Sequence, residues 1–203
     1  MTGMEKYLEC TYTIDCEEKS VKEKAKALTA GQGTTVEKAK ALFYFVRDQI
    51  TYNPYVPIFT LEDNKASTTL SRGEGYCVQK AILLAALARA VGIPARLGFA
   101  DIRNYILPKK MAEIMKGDNL FIYHGYVQLY LDGKWFKATP AFDLGMCQEQ
   151  RIIPVDFDGK RDAQFHPYNK DGKFHIEYVR EHGYYDDLPW EELMKARGWE
   201  HML

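Results

Sequence analysis

The chain has 203 residues, enough for one domain with a substantial core or for a domain with an appended piece. Hydrophobic residues make up 46% and charged residues 27%, the proportions of an ordinary soluble globular protein. The 27 basic and 28 acidic residues leave a formal charge of −1, which gives no electrostatic footprint for nucleic acid or an anionic membrane.

From Met1 to Ser20 the sequence mixes polar and acidic residues and lacks the apolar core of a signal peptide. The longest apolar stretch, Ala81 to Ala88, is too short to span a bilayer, so a soluble, cytoplasmic protein is expected. Cys10, Cys16, Cys77 and Cys147 are scattered and show no Cys-x-x-Cys spacing, so neither disulfides nor a zinc ribbon are expected. A short strand is read around Tyr7 to Ile14, and a Lys/Glu/Ala-rich helix from Val21 to Leu28.

Thr34 and Glu37 form a capping box, and Ala41, Leu42, Phe45, Val46 and Gln49 follow at helical spacing. That helix should run to about Gln49 and end before Pro54. Residues 54 to 73 read as a long surface loop, a length that is usually functional or disordered. From Cys77 to Val91 only Gln79, Lys80 and Arg89 are strongly polar, so this helix must be buried on nearly every face. Gly92 and Pro94 end it, and Ile93 to Ala100 reads as a strand.

An insert over Ile106 to Asn119 can hold a short amphipathic helix. Phe121 to Leu131 and Lys134 to Ala138 then form a hairpin about Asp132-Gly133, a dipeptide that favours the type I′ turn. Further strands are read at Ile152 to Phe157 and Phe174 to Val179, with a last helix after Asp187 and Pro189 in its first turn. Early helices followed by antiparallel strands indicate an α+β fold.

Cys77 opens the buried helix and is preceded by Arg72-Gly73-Glu74-Gly75-Tyr76. Free backbone N–H groups and the helix dipole stabilise a thiolate there, and the same N–H groups can hold an oxyanion. The competing reading is a small buried residue that simply starts a core helix.

A thiol nucleophile needs a base and a group to orient it. Among the five histidines, His124 stands out because it begins the hairpin beside small Gly125. Pairing Leu131 with Lys134 sets His124 opposite Ala141, with Thr139 and Asp143 as its diagonal neighbours on one sheet face. Either could orient the imidazole, Asp143 as a carboxylate and Thr139 as a weaker hydroxyl acceptor, although Pro140 interrupts the ladder. His166, His175 and His182 lack metal-ligand spacing and read as packing or surface residues.

Gly75-Tyr76-Cys77, then Ala81, Leu84, Ala88-Arg89-Ala90 and Gly92-Ile93-Pro94-Ala95-Arg96, resemble the transglutaminase-like superfamily. So do His124-Gly125-Tyr126-Val127 leading to Asp132-Gly133-Lys134-Trp135, and Phe45 to Tyr52 upstream. The resemblance spans roughly residues 20 to 143, with 144 to 203 as a C-terminal extension of a single domain. It implies a papain-like α+β core with a central buried helix packed on an antiparallel sheet. It also implies a Cys-His-Asp triad, here Cys77, His124 and Asp143, acting on amide or thioester bonds of a protein or peptide without cofactor or metal.

One departure is plain. Where the family usually carries an Asp-Pro pair beyond the hairpin tryptophan, this chain has Thr139-Pro140. The Arg72-Gly73-Glu74-Gly75-Tyr76-Cys77 stretch also resembles the cysteine entry of arylamine N-acetyltransferases, but no coenzyme A site is evident. The alternative from another class is a non-catalytic binding or scaffolding domain with a degraded triad.

Overall fold

Capping chemistry sets the first long helix where the sequence puts it. In the computed structural model, which describes residues 3–199, the Glu37 backbone N–H donates to Thr34 Oγ1 and the Thr34 N–H donates to Glu37 Oε2. Helix α2, Thr35–Gln49, starts there and packs beside α1, Lys19–Thr29. The strand expected near Tyr7 is absent, and a single 3₁₀ turn, Glu5–Tyr7, is followed by irregular chain. Cys10 and Cys16 close a disulfide ring there, which corrects the expectation that all four cysteines are free.

Strand β1, Thr51–Tyr52, pairs in parallel with β2, Glu74–Gly75. Between them the expected loop holds α3, Ala66–Arg72, and a 3₁₀ turn at Glu62–Asn64. Gln79 Nε2 straps this connection down by donating to the carbonyls of Pro57 and Asp63, at 3.0 and 2.8 Å.

Helix α4, Cys77–Ala90, is buried from Val78 through Arg89, as its all-round apolar sequence requires. Its three polar side chains are buried because each meets backbone acceptors. Arg89 donates to the carbonyls of Glu9, Ala95 and Asp186, and Lys80 Nζ donates to those of Arg47 and Ile50 at the end of α2.

The helices lie against a four-stranded antiparallel sheet of order β5-β4-β3-β6. Its strands are β3, Ala95–Asn104; β4, Leu120–Leu131; β5, Lys134–Ala138; and β6, Ile176–Tyr185, with α5, Lys109–Ile114, in the insert before β4. Leu131 pairs with Lys134 and Val127 with Ala138, the expected hairpin register. Asp132 and Gly133 both adopt positive φ, 48° and 83°, as a type I′ turn requires.

After Ala138 the chain leaves β4. Ala138 bridges to Ala163 and the Thr139 N–H donates to the Ala163 carbonyl, so no ladder carries His124 to Ala141. Helix α6, Leu144–Glu149, follows. Residues 152 to 157, expected as a strand, are extended chain without a ladder, and the Val155 carbonyl accepts from Arg47 Nη1. Helix α7, Trp190–Ala196, starts one residue after Pro189 and packs on β4. The segment beyond residue 143 thus supplies an edge strand of the same sheet.

Candidate active site

Cys77 is the first residue of α4, where the backbone N–H groups have no partner one turn earlier. His124 lies on β4, next to the point where α4 meets the sheet. The contact is made possible by Gly125: a Cβ there would stand 2.8 Å from Val78 Cα and 3.0 Å from its Cγ2. Only glycine allows the start of α4 so close to β4, and the residues flanking that contact are Cys77 and His124.

A bulge aims the histidine. Ala100 pairs with His124 but Ile102 pairs with Phe121, leaving an extra residue on β4. Tyr123, inside the bulge, has φ of 54°, rare for an aromatic residue. Its N–H donates to Asp101 Oδ1 at 3.1 Å, and His182 Nε2 lies 2.7 Å from the same oxygen. The His182 ring also stacks on Tyr123 with centroids 4.1 Å apart. His182 therefore belongs to a brace behind the site. Among the described residues no group of three or more His, Cys, Asp or Glu residues is arranged to hold a metal ion.

Cys77 and His124 line two adjoining cavities of about 380 and 340 Å³, which also share Tyr52 and Phe121. His124 is 3% exposed, with its ring 5.0 Å from Phe165 and Phe165 stacked on Phe142 at 4.4 Å. Burial holds the imidazole neutral, pulling its pKa down to about 3. Burial also pushes the half-buried Cys77 thiol up. The Gly125 N–H, the Arg197 charge and the N–H groups of Val78 and Cys77 oppose this only in part. The helix start does favour the thiolate as expected, but desolvation is the larger effect. The resting pair is a thiol and a neutral imidazole.

The expected partner of His124 is engaged elsewhere. Asp143 lines the larger cavity, yet its Oδ1 accepts from the Met146 N–H at 2.9 Å as the N-cap of α6. Its Oδ2 accepts from the Tyr52 N–H at 2.7 Å. Pro140 turns the chain so that Asp143 braces β1 against α6. His124 Nε2 is buried with no hydrogen-bond partner among the described residues, and buried Thr139 Oγ1 is reached only by the Tyr178 hydroxyl. Lys80, 0% exposed, lies close enough for the Asp143 charge to be the largest influence opposing its desolvation, which draws it to about 7.

The sequence profile of the transglutaminase-like superfamily matches residues 22–140, more than half of the chain. The chain belongs to the transglutaminase-like superfamily. Among solved structures it is similar to one named a putative cysteine protease from Cytophaga hutchinsonii, at 17% identity and a TM-score of 0.54, over 69% of this chain and 42% of that one. A putative protease from Parabacteroides distasonis matches at 18% identity and a TM-score of 0.44, over 68% of this chain and 26% of that one. The chain spans less than half the length of either. No curated protein matches it.

The transglutaminase-like match takes in Cys77, His124 and Thr139-Pro140 and stops before Asp143. Phe165, which covers the histidine, lies outside it, as does Tyr178, whose ring is 6.4 Å from that of His124. Sequence reading missed both aromatics.

Proposed function

We propose that the protein is a cysteine-dependent enzyme that cleaves or transfers the acyl group of amide-type bonds in proteins or peptides, with Cys77 as nucleophile and His124 as base. The observation that supports this reading is the Gly125–Val78 contact, with a cysteine at helix-start N–H groups and a desolvated imidazole lining the same cleft on either side of it. Such an imidazole is unprotonated at neutral pH, and the same burial makes it a weak base.

In this reading Cys77 Sγ attacks the substrate carbonyl carbon while the thiol proton passes to the His124 ring. The carbonyl electrons move onto oxygen, where the free N–H groups at the start of α4 stabilise the oxyanion. Collapse breaks the C–N bond, and the leaving amine takes the proton from His124. Water, or an acceptor amine, then attacks the thioester with His124 again taking the proton, and the thiol is restored. Water is the default acceptor because of its concentration.

Support for the orienting role divides between two residues. Each Asp143 oxygen already accepts from a backbone N–H, whereas Thr139 Oγ1 is buried with only the Tyr178 hydroxyl reaching it, in the aromatic group that also lies against His124. We therefore assign the orienting role to Thr139, aided by the packing of Phe165. Asp143 is assigned the cleft wall, through Tyr52 and α6.

One set of observations favours a second reading, a binding domain that keeps the fold. The thiol is pushed up, the imidazole is far down, and a threonine stands at the acid position. Turnover of a quenched-fluorescence peptide library decides between the two. Activity lost in both Cys77→Ala and His124→Ala supports the enzyme; a wild-type protein that binds peptides without turning any over is the non-catalytic domain.

No helix among the described residues is long and apolar enough to cross a membrane. A cytoplasmic location was expected from the lack of a long apolar stretch, and a Cys10–Cys16 disulfide is the pairing of an oxidising compartment rather than of the cytoplasm.

A further inference from the structure

The two cavities beside Cys77 carry opposite charge. The larger is walled by Ile102, Leu107, Met111, Phe142, Met146 and Phe165, and its acidic side chains are Asp143 and Glu149, with no Lys or Arg among the described lining. The smaller contains Arg197 and, among the described lining, no Asp or Glu. A chain laid across Cys77 thus meets an apolar pocket with acidic side chains at one end and a cation at the other.

Arg197 is built into position rather than trailing from a loose end. It is the C-cap of α7, and Leu193 and Met194 bury that helix in the core. The Gly198 N–H donates to the Lys195 carbonyl and the Trp199 N–H to that of Met194, the paired bonds of a Schellman cap, with Gly198 at φ 70° as the cap requires. The guanidinium then lies over Tyr76 at 5.6 Å and over Trp199 at 5.4 Å, held by two ring faces beside the residue preceding the nucleophile. Among the described residues it forms no ion pair, and the side chain that shares its donors is the Tyr76 hydroxyl.

We infer that Arg197 is a substrate-recognition residue, and that the cleft takes peptide acyl donors with an apolar side chain on one side of the scissile amide and a carboxylate on the other. The carboxylate is either an acidic side chain or a free C-terminus, since both present the same bidentate acceptor to a guanidinium. Glu149 and Asp143 disfavour the reverse placement by like-charge repulsion. This inference rests on the proposed cysteine chemistry for its turnover arm but not for its binding arm.

The test uses dye-labelled hexapeptides built on alanine with one central phenylalanine. They carry Glu or Gln two residues before or after it, and each is made with a free or an amidated C-terminus. Binding is read by fluorescence anisotropy on Cys77→Ala, and kcat/KM on the otherwise unaltered enzyme. One charged peptide should exceed its neutral match by roughly tenfold in both readouts, as a charge-assisted hydrogen bond supplies.

The preference should collapse to about one in Arg197→Gln and partly return in Arg197→Lys, since lysine keeps the charge without the fork. It should weaken with added salt. Whether Glu/Gln or acid/amide pairs show the effect identifies the carboxylate's source. Turnover with equal rates for every matched pair overturns the inference while leaving the cysteine chemistry standing. A binding preference that needs Arg197 but has no turnover supports the subsite and counts against catalysis. Equal binding across all matched pairs overturns the subsite whatever the turnover.

Discussion

Gly125→Ala tests the contact on which the site depends. The added methyl would sit 2.8 Å from Val78 Cα, whereas carbon atoms rest at about 3.5–4.0 Å. The start of α4 must therefore separate from β4 by about 0.7–1.2 Å, or the sheet must yield by as much. Overpacking of this kind costs about 1–3 kcal/mol, a fall in Tm of about 2–12 °C for a chain of this size. Because Val78 follows Cys77 directly, the same movement shifts the nucleophile against His124, and about 1 Å of misplacement lowers turnover on the order of a hundredfold. Denaturant unfolding, a thermal melt and kcat/KM on the best library peptide read the two effects separately. Adding Val78→Ala should rescue little, since the nearest atom is backbone. A Gly125→Ala protein with wild-type Tm and turnover would refute the claim that helix and strand meet at closest packing here.

Phe165→Ala removes the ring that covers His124, and should destabilise the fold by about 3–5 kcal/mol while letting water reach the imidazole. The His124 pKa should then rise from about 3 toward the ordinary value, seen by NMR titration of the ring protons. Thr139→Asp supplies a carboxylate at the family's acid position. It should raise the His124 pKa and the peptide turnover together, whereas a rise in neither assigns the orienting role elsewhere. Acid should unfold the protein early. His124 and His175 are held near 3 and 4, below their unfolded values, so between about pH 6.5 and 4 the unfolded chain binds more protons. Stability from these groups is present above pH 6.5 and lost as pH falls, with a slope of up to about 2.7 kcal/mol per pH unit. Denaturant titrations across that window check the slope, and His175→Phe should flatten it.

What could be read in the sequence was what local rules dictate. The Thr34–Glu37 box, the all-apolar α4 and the Asp132-Gly133 turn each specify their own geometry, and the turn carries the register to Val127–Ala138. Legibility ended where distant chain decides. After Ala138 the chain bridges to Ala163 instead of continuing along β4, so Asp143 reaches the cleft as the cap of α6 and not through the hairpin ladder. Helix α3 has the sequence ASTTLSR, with no apolar stripe to announce it; the Thr69 hydroxyl bonds to the Lys65 carbonyl and the Ala66 N–H to that of Thr13. Burial of the imidazole by Phe165 arises from residues some forty positions apart, beyond any periodicity. The N–H groups at the helix start favour the thiolate, but desolvation is the larger effect and depends on that distant packing.

The central claim is a covalent one. Wild-type protein mixed with the best-bound peptide and quenched in acid within milliseconds to seconds should carry an acyl mass on the Cys77 tryptic fragment, absent in His124→Ala. An adduct that forms on buried Cys147 instead, or none on Cys77 under conditions where the peptide is turned over, would contradict the account.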